Sequence, residues 1–552
     1  MKQGFLINHI LSYIWGFMIR KFMADCISYK NISYYSDLII DYLDKKEVLK
    51  PFYNRFPEIE NFKAQILEKA ENFPSSNREI LVQSLEKQYE KLNPSDLTLK
   101  NIRLLKDEKT FCITTGHQLN LFTGPLYFFY KIISVINLTK ELKQAYPDYN
   151  FVPMYWLAGE DHDFEEINFF NFKGKKHEWN SDQKGAVGRF STKGLEKVFK
   201  EFKLALNSSE AAAKLENLFN EAYLKQDNLL EATRFLANEF FAKHGLVIID
   251  GDDNKLKSVF APYVKSELLH QNLFKEAEKT NEKLNDLNYH IQVNPREINL
   301  FYLEENSRER ILKTEEEFLI NNSEKSFSEE EILKELDNHP ERFSPNAVMR
   351  PLYQESILPN LCYIGGAGEL AYWFELKSYF EKENITFPVL LMRNSALLMS
   401  EKQYQKLEKL QLSVADLFLD QEELLDKKTH LISDIKIDFS PQKEHLKKQF
   451  SALYELAEKT DKSFLGAVSA QEKKQLNGLK LLEKRMLRAQ KRVLKDELER
   501  VIILKDELFP NGNLQERVCN FSEFFEIYGE GFIQNLFEKL QPLEMKFDII
   551  YL

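Results

Sequence analysis

Cysteine is scarce in this chain and its spacing is uninformative. Cys26, Cys112, Cys362 and Cys519 include no Cys-x-x-Cys pair, which excludes a thiolate zinc framework and a disulfide scaffold and fits a reducing, cytoplasmic setting. Three of the four stand in apolar surroundings and read as small buried hydrophobes. No uninterrupted apolar run reaches bilayer length. The candidate, Phe5 to Ile19, is broken by Asn8, His9 and Ser12, and no small-residue cleavage pattern follows it. Neither a signal peptide nor a membrane partner is therefore expected. Positive charge is not in excess either. The 75 Lys and Arg against 86 Asp and Glu give a net charge of −11, so the overall field disfavours a nucleic-acid partner.

What the chain does have is the composition of a globular protein, 43% hydrophobic and 29% charged. Its 552 residues exceed one compact core and suggest about two to four structural units. The stretch from Thr110 to Glu166 organises the rest. Phe111 to Thr114 reads as a strand, and a turn through Gly116, Thr123 and Gly124 leads to Pro125 at an expected helix start. Tyr130, Ile133, Val135, Ile136 and Leu142 then give a helical stripe that stops near Pro147. Phe151 to Leu157 is a second buried strand, which ends at Glu160, Asp161, His162 and Asp163.

This is a βαβ unit with a polar cluster after each strand, and in open parallel sheets ligands bind beyond the carboxyl ends of strands. Gly116, His117 and Gln118 are expected to face Glu160 to Asp163 across one crevice. The glycine turn before the helix is expected to offer free N–H groups to an anion or nucleotide, with Lys131 close enough to approach a phosphate. Leu246 to Ile249 is a third strand with an acidic end, Asp250, Asp252 and Asp253, whose spacing is not that of a calcium loop. Residues 290–313 alternate apolar and polar side chains and read as an antiparallel insertion that includes His290 to Asn294. Cys362 to Ile364 is a strand, and Gly365, Gly366 and Glu369 open a second glycine turn into a helix carrying Tyr372. The pattern is not the dinucleotide fingerprint. Val389 to Met392 is a further strand that ends at Arg393, Asn394 and Ser395.

Residues 441–510 differ in kind. Leu446, Phe450, Leu453 and Ala457 form one apolar seam, and Leu479, Leu482, Met486, Ala489 and Val493 a second, which continues after a one-residue slip. A helix of about 38 residues would reach roughly 57 Å. An antiparallel helical hairpin is expected, either packed on its own domain or paired with a second subunit. The six basic residues from Lys484 to Lys495 flank that seam and read as a solvated face rather than an RNA site.

The segments TGHQLNLFTGPLYFFYKIIS, VPMYWLAGEDHDFEEINFF, FSPNAVMRPLYQESILPNLCYIGGAGELAYWFELK and PVLLMRNSALL, with LFPNGNLQERVCNF near the carboxyl terminus, closely resemble the bacillithiol biosynthesis cysteine-adding enzyme family. The resemblance runs from about residue 23 to the end, which implies that residues 1–22 are an upstream extension. It departs at His117, where the family pattern implies glutamine. It implies an α/β fold: a Rossmann-type parallel-sheet core with inserted connecting segments and a C-terminal α-helical coiled coil used for dimerisation. The expected division is N-terminal helices and the first half of the core over 23–172 and the third strand with its insertions over 173–342. The second half of the core follows over 343–400, linker helices over 401–440, the coiled coil over 441–510, and a segment returning to the core over 511–552.

The implied activity is the last step of bacillithiol synthesis, amide formation between cysteine and the amine of glucosaminyl malate by a cytoplasmic homodimer. A nucleotidyltransferase and a non-catalytic scaffold dimer are the alternatives. Amide formation from a free carboxylate needs activation, so ATP or another nucleotide is a candidate, although no cofactor is assigned. Asp161 and His162 are the candidate catalytic pair, because attack needs a neutral amine and a group that takes its proton. Arg350 and Arg393 are candidates for the malate carboxylates, and Tyr127, Trp156 and Tyr372 for stacking on a sugar or purine. No metal site is expected, since neighbouring residues such as those around His162 seldom all reach one ion.

Overall fold

The computed structural model describes residues 25–460 and 462–552, so the expectation for residues 1–22 lies outside the described residues. The chain forms two compact units. One comprises residues up to Lys30, 34–398 and 514–552, and the other residues 31–33 and 399–513.

The first unit is organised by five parallel strands, β1 (Thr110–His117), β2 (Asn150–Leu157), β3 (Val247–Asp250), β4 (Asn360–Gly365) and β5 (Val389–Met392), in the order β5-β4-β1-β2-β3. This is the Rossmann order, in which the winding reverses between β1 and β4. The strands read as apolar runs because helices cover both sheet faces. Pro153 sits in β2 opposite Ile113, and β3 pairs with β2 only from Met154 onward, so the missing N–H falls where no neighbour asks for it. Helix α1 (Tyr127–Ala145) connects β1 to β2, α2 (Asn254–His270) follows β3, α3 (Arg350–Ile357) precedes β4, and α4 (Ala367–Phe374) connects β4 to β5. One face of α1 enters the core through Val135, Leu138 and Leu142, which meet Phe111, Ile113, Leu361, Ile364, Val389 and Leu391. Each such side chain contributes about 1.5–3 kcal/mol on burial.

Two local expectations are corrected. Helix α1 begins at Tyr127 rather than at Pro125, because Pro125 is bridged to Asn520 of the C-terminal segment. The insertion is a five-stranded antiparallel sheet of Leu300–Leu303, Arg308–Lys313, Phe318–Ile320, Ser326–Phe327 and Phe343–Pro345, but His290 to Asn294 forms no strand. The Glu375 carboxylate takes the N–H groups of Gln292 (2.8 Å) and Val293 (3.3 Å), where a strand would have used a ladder partner. Near the C-terminus, Phe547–Tyr551 pairs antiparallel with Asp25–Ile27.

In the second unit, α5 (Ser440–Ala457) folds back along the first part of α6 (Lys462–Val493). Phe450, Ala457 and Val468 form the seam with Leu446, Tyr454 and Leu465, and Lys443 pairs with Glu483. The long helix is 32 residues rather than about 38. It breaks at Leu494 (φ −93°, ψ 17°) before α7 (Lys495–Leu508), at the place where the apolar seam slips. Parts of the α6 seam are open, with Leu482 51% and Val493 75% exposed. Of the basic run, Lys491 is paired with Asp426 and Lys495 with Glu499. Among the described residues no helix is long and apolar enough to cross a membrane.

Candidate active site

A cavity of about 590 Å³ opens at the carboxyl ends of β1, β2 and β4, where the winding reverses. That is the size of a pocket for a small organic ligand. Of the residues expected there, it gathers Gly116, His117 and Gln118 from the end of β1, Tyr127 and Lys131 from α1, and Trp156, Glu160, Asp161 and His162 from β2 and its loop. Arg350 from α3 and Glu369 and Tyr372 from α4 complete this wall.

A chain of contacts crosses the switch point. Lys131 Nζ donates to the Gly116 carbonyl at 2.8 Å and to a Glu369 carboxylate oxygen. The other Glu369 oxygen accepts from Tyr363 Oη at 3.1 Å. Burial pushes the Lys131 ammonium below its ordinary pKa, and Glu369 acts in the opposite direction. Lys131 is therefore the bolt between the two halves of the sheet rather than a free phosphate ligand.

The opposite wall comes from the insertion. Arg308 is nearly buried and held by Ser344 Oγ (3.0 Å), the Pro345 carbonyl (2.9 Å) and the face of Phe301 (3.9 Å from ring centre to guanidinium carbon). Its Nη1 reaches His162 Nδ1 at 2.8 Å. Arg310, two positions along the same strand, and Arg296, on the strap before it, also line the cavity and are exposed. The ion pairs at the crevice join Lys131 to Glu369 and Lys257 to Glu160. Arg296, Arg308, Arg310 and Arg350 are left with no carboxylate partner among the described residues. The crevice is thus a cationic pocket in an acidic protein.

The loop after β2 is ordered largely by its own hydrogen bonds. Asp161 Oδ1 accepts the N–H of His162 (2.7 Å) and Oδ2 accepts from Gln118 (2.9 Å), while Asp163 caps the short helix Phe164–Ile167. Burial and the adjacent Arg308 charge depress the His162 pKa, against the pull of Asp161 and Asp163. His117 lies beneath Tyr127, edge-on at 5.3 Å. Burial, helped by the Lys131 charge, keeps it neutral, and its Nε2 has no partner among the described residues.

Several expected residues stand elsewhere. Thr123 and Gly124 are in the turn before α1, where Asn520 Nδ2 donates to the Gly124 (2.6 Å) and Phe122 (2.8 Å) carbonyls. The Leu126 N–H is given to the Cys519 carbonyl at 2.9 Å. The first glycine turn is therefore filled by the C-terminal segment and is not an anion cradle. Gly365 and Gly366 lead into α4, where Gly366 is the N-cap residue and no side chain caps the helix. Arg393 is committed to Glu516 at 2.7 Å inside the core, and Ser395 bonds the same carboxylate at 3.2 Å. Asn394 is held by Ser134 and the Gln541 carbonyl. Arg393 is thus not a carboxylate-binding residue of the crevice. The residues missed by sequence reasoning are Arg296, Arg308 and Arg310. A signal did exist, because Arg308 and Arg310 alternate along one strand and so share a face.

Strand order, switch-point crevice and cationic lining together define a Rossmann-type α/β protein with a cationic crevice of small-molecule size. Residues 22–394 match the family model "Bacillithiol biosynthesis BshC, N-terminal Rossmann-like domain", and residues 396–552 match "Bacillithiol biosynthesis BshC, C-terminal coiled-coil domain". The chain belongs to the bacillithiol biosynthesis BshC family, a family of ligases by the name its relatives carry. It is 61% identical over 527 residues to "Putative cysteine ligase BshC" of Flavobacterium johnsoniae, covering 96% of this chain and 99% of that one. It is 58% identical over 531 residues to the protein of the same name from Christiangramia forsetii, again covering 96% and 99%. The Bacillus cereus (strain AH187) protein of that name is 28% identical over 535 residues, covering 93% of this chain and 98% of that one.

Proposed function

We propose that the crevice joins the carboxyl group of cysteine to the amine of glucosaminyl malate, the closing step of bacillithiol synthesis. The observation that carries this reading is the set of arginines without carboxylate partners, Arg296, Arg310 and Arg350, on a pocket that also presents Asp161. A malyl group brings two carboxylates, and arginine forks are the side chains that bind such groups in pairs of hydrogen bonds. Asp161 retains lone pairs beyond those its loop uses, so it can orient the amine and accept its proton. The cysteine carboxyl arrives activated, or is activated in place by ATP or another nucleotide whose anionic part lies near the uncapped N-terminus of α4. Tyr127, Trp156 and Tyr372 supply the apolar surface for the sugar or base. In this reading the protein works in the cytoplasm as a homodimer joined through its coiled coil.

The test is mass spectrometry of purified protein incubated with cysteine and glucosaminyl malate, with and without ATP and with cell extract. Product with ATP alone supports self-contained activation. Product only with extract supports a donor made by another enzyme. A stable nucleotidyl product favours a transferase, and no product under any condition counts against the reading.

A further inference from the structure

We infer that His162 is a hydrogen-bond donor to the carbonyl oxygen that becomes negative during amide formation, locked in that role by Arg308, and that it is not the base. The inference rests on the proposed reaction, but its geometric half stands by itself. A guanidinium has five N–H donors and no acceptor. Arg308 Nη1 lies 2.8 Å from His162 Nδ1, so Nδ1 must be the accepting, unprotonated nitrogen. The single proton of the neutral ring is then on Nε2.

Arg308 cannot easily turn away, since Ser344, the Pro345 carbonyl and the Phe301 ring hold its remaining atoms. Phe301 also packs against the imidazole, with ring centres 5.2 Å apart. The charged groups that face His162 are Arg308 and Arg310 from the insertion and Asp161 and Asp163 from its own loop. Burial and the arginines disfavour the imidazolium, and the two aspartates favour it. The His162 side chain is still 48% exposed, and the residue lines the crevice. A neutral imidazole with its only free lone pair occupied is a poor proton acceptor. Its Nε2–H remains available as a donor.

The bond changes place the group. The amine nitrogen attacks the carbonyl carbon of a cysteine carboxyl carrying a phosphate or nucleotide leaving group, forming the C–N bond while the π pair moves to the carbonyl oxygen. His162 Nε2–H donates to that oxyanion. As the C=O bond re-forms, the bond to the leaving-group oxygen breaks, the leaving group departs with the electron pair, and one amine proton passes to Asp161. His162 holds the same proton throughout. Arg308 is a positioning residue, since it touches His162.

Two measurements test this. The first is 15N NMR of histidine-labelled protein at pH 7, with His162→Gln to assign the signal. The expected pattern is the Nε2–H tautomer in the wild type, and in Arg308→Met the His162 titration should move upward. A wild-type Nδ1–H tautomer overturns the inference. The second is kinetics. His162→Ala should lower kcat by about 10²–10³ with the KM for the acceptor changed less than threefold, as for loss of one oxyanion donor. His162→Gln, which keeps an N–H, should recover at least tenfold of that loss. A kcat for His162→Ala within threefold of the wild type, in protein whose circular dichroism is unchanged, also overturns it. Failure of the wild type to make product counts against the proposed reaction instead, and the NMR result then decides whether His162 is held as a donor.

Discussion

The turn after β1 and the turn after β4 each follow a central strand, contain glycine and open into a helix, and they lie on either side of the switch point. In the first, Gly124 adopts φ +62° and the C-terminal residues Cys519 and Asn520 take up the backbone groups. In the second, Gly366 is extended, no side chain caps α4, and Gly368 has no atom within 4 Å of the position a Cβ would take. The same local sequence grammar has been filled in one case by a distant segment and left without a side-chain cap in the other. Local pattern can propose an anion cradle. Only the tertiary neighbours decide whether it stays empty.

The sharpest way to break this comparison is to attack the ion pair that secures the filled side. Glu516→Ala leaves Arg393 buried without its carboxylate, and such a removal costs about 3–5 kcal/mol, to be read by urea unfolding. The loss should be a loss of stability. Next, Gly124→Ala forces a side chain into a positive-φ position with its Cβ 2.6 Å from that of Asn120, which should cost about 2–3 kcal/mol. On the open side, Glu369→Ala removes the partner of buried Lys131. Because Glu369 is itself partly exposed, the cost should be smaller, about 1–3 kcal/mol, and turnover should fall at least tenfold. A Glu369 variant that unfolds easily but turns over normally would erase the distinction between the two sides.

Glu375 makes stability depend on pH. Its carboxyl is buried and its pKa is pushed up to about 7, with burial the main cause. Between the ordinary carboxylate pKa and about 7 the native state binds the proton more readily than the unfolded chain, so its contribution to stability falls as pH rises through that window. Glu375→Gln keeps an acceptor for the strap N–H groups and should make the loss of stability from pH 5 to pH 8 shallower by about 1–3 kcal/mol. Gly368→Ala is the smallest effect. The Cβ meets nothing, and alanine gains up to about 1 kcal/mol in a helix, so thermal unfolding should shift slightly upward.

Much of the fold was legible because the five buried strands are short apolar runs bounded by glycine or acidic residues, and because 3.6-residue periodicity marks α1. The crevice residues at the ends of β1 and β2 were legible for the same reason, since a strand end is visible in sequence. Three features were not. Arg393 at the end of β5 looks like Arg350 until Glu516 is placed beside it. The filling of the first turn depends on Cys519 and Asn520, which no local window connects to Gly124. Residues 290–294 alternate like a strand, yet the N–H groups of Gln292 and Val293 are taken by Glu375. Each is a case in which a partner far along the chain decides what a residue does.

The central claim is that the crevice, with its arginine wall from the insertion, holds the acidic acceptor. The most direct measurement is calorimetric titration of glucosaminyl malate into the wild type and into an Arg296→Ala/Arg310→Ala double variant, with glucosamine as the acceptor lacking carboxylates. Both arginines are exposed, so the variant should fold. The account predicts wild-type binding that is weakened at least 30-fold in the variant, with any glucosamine binding equal in the two proteins. Equal affinity of the two proteins for glucosaminyl malate would contradict it.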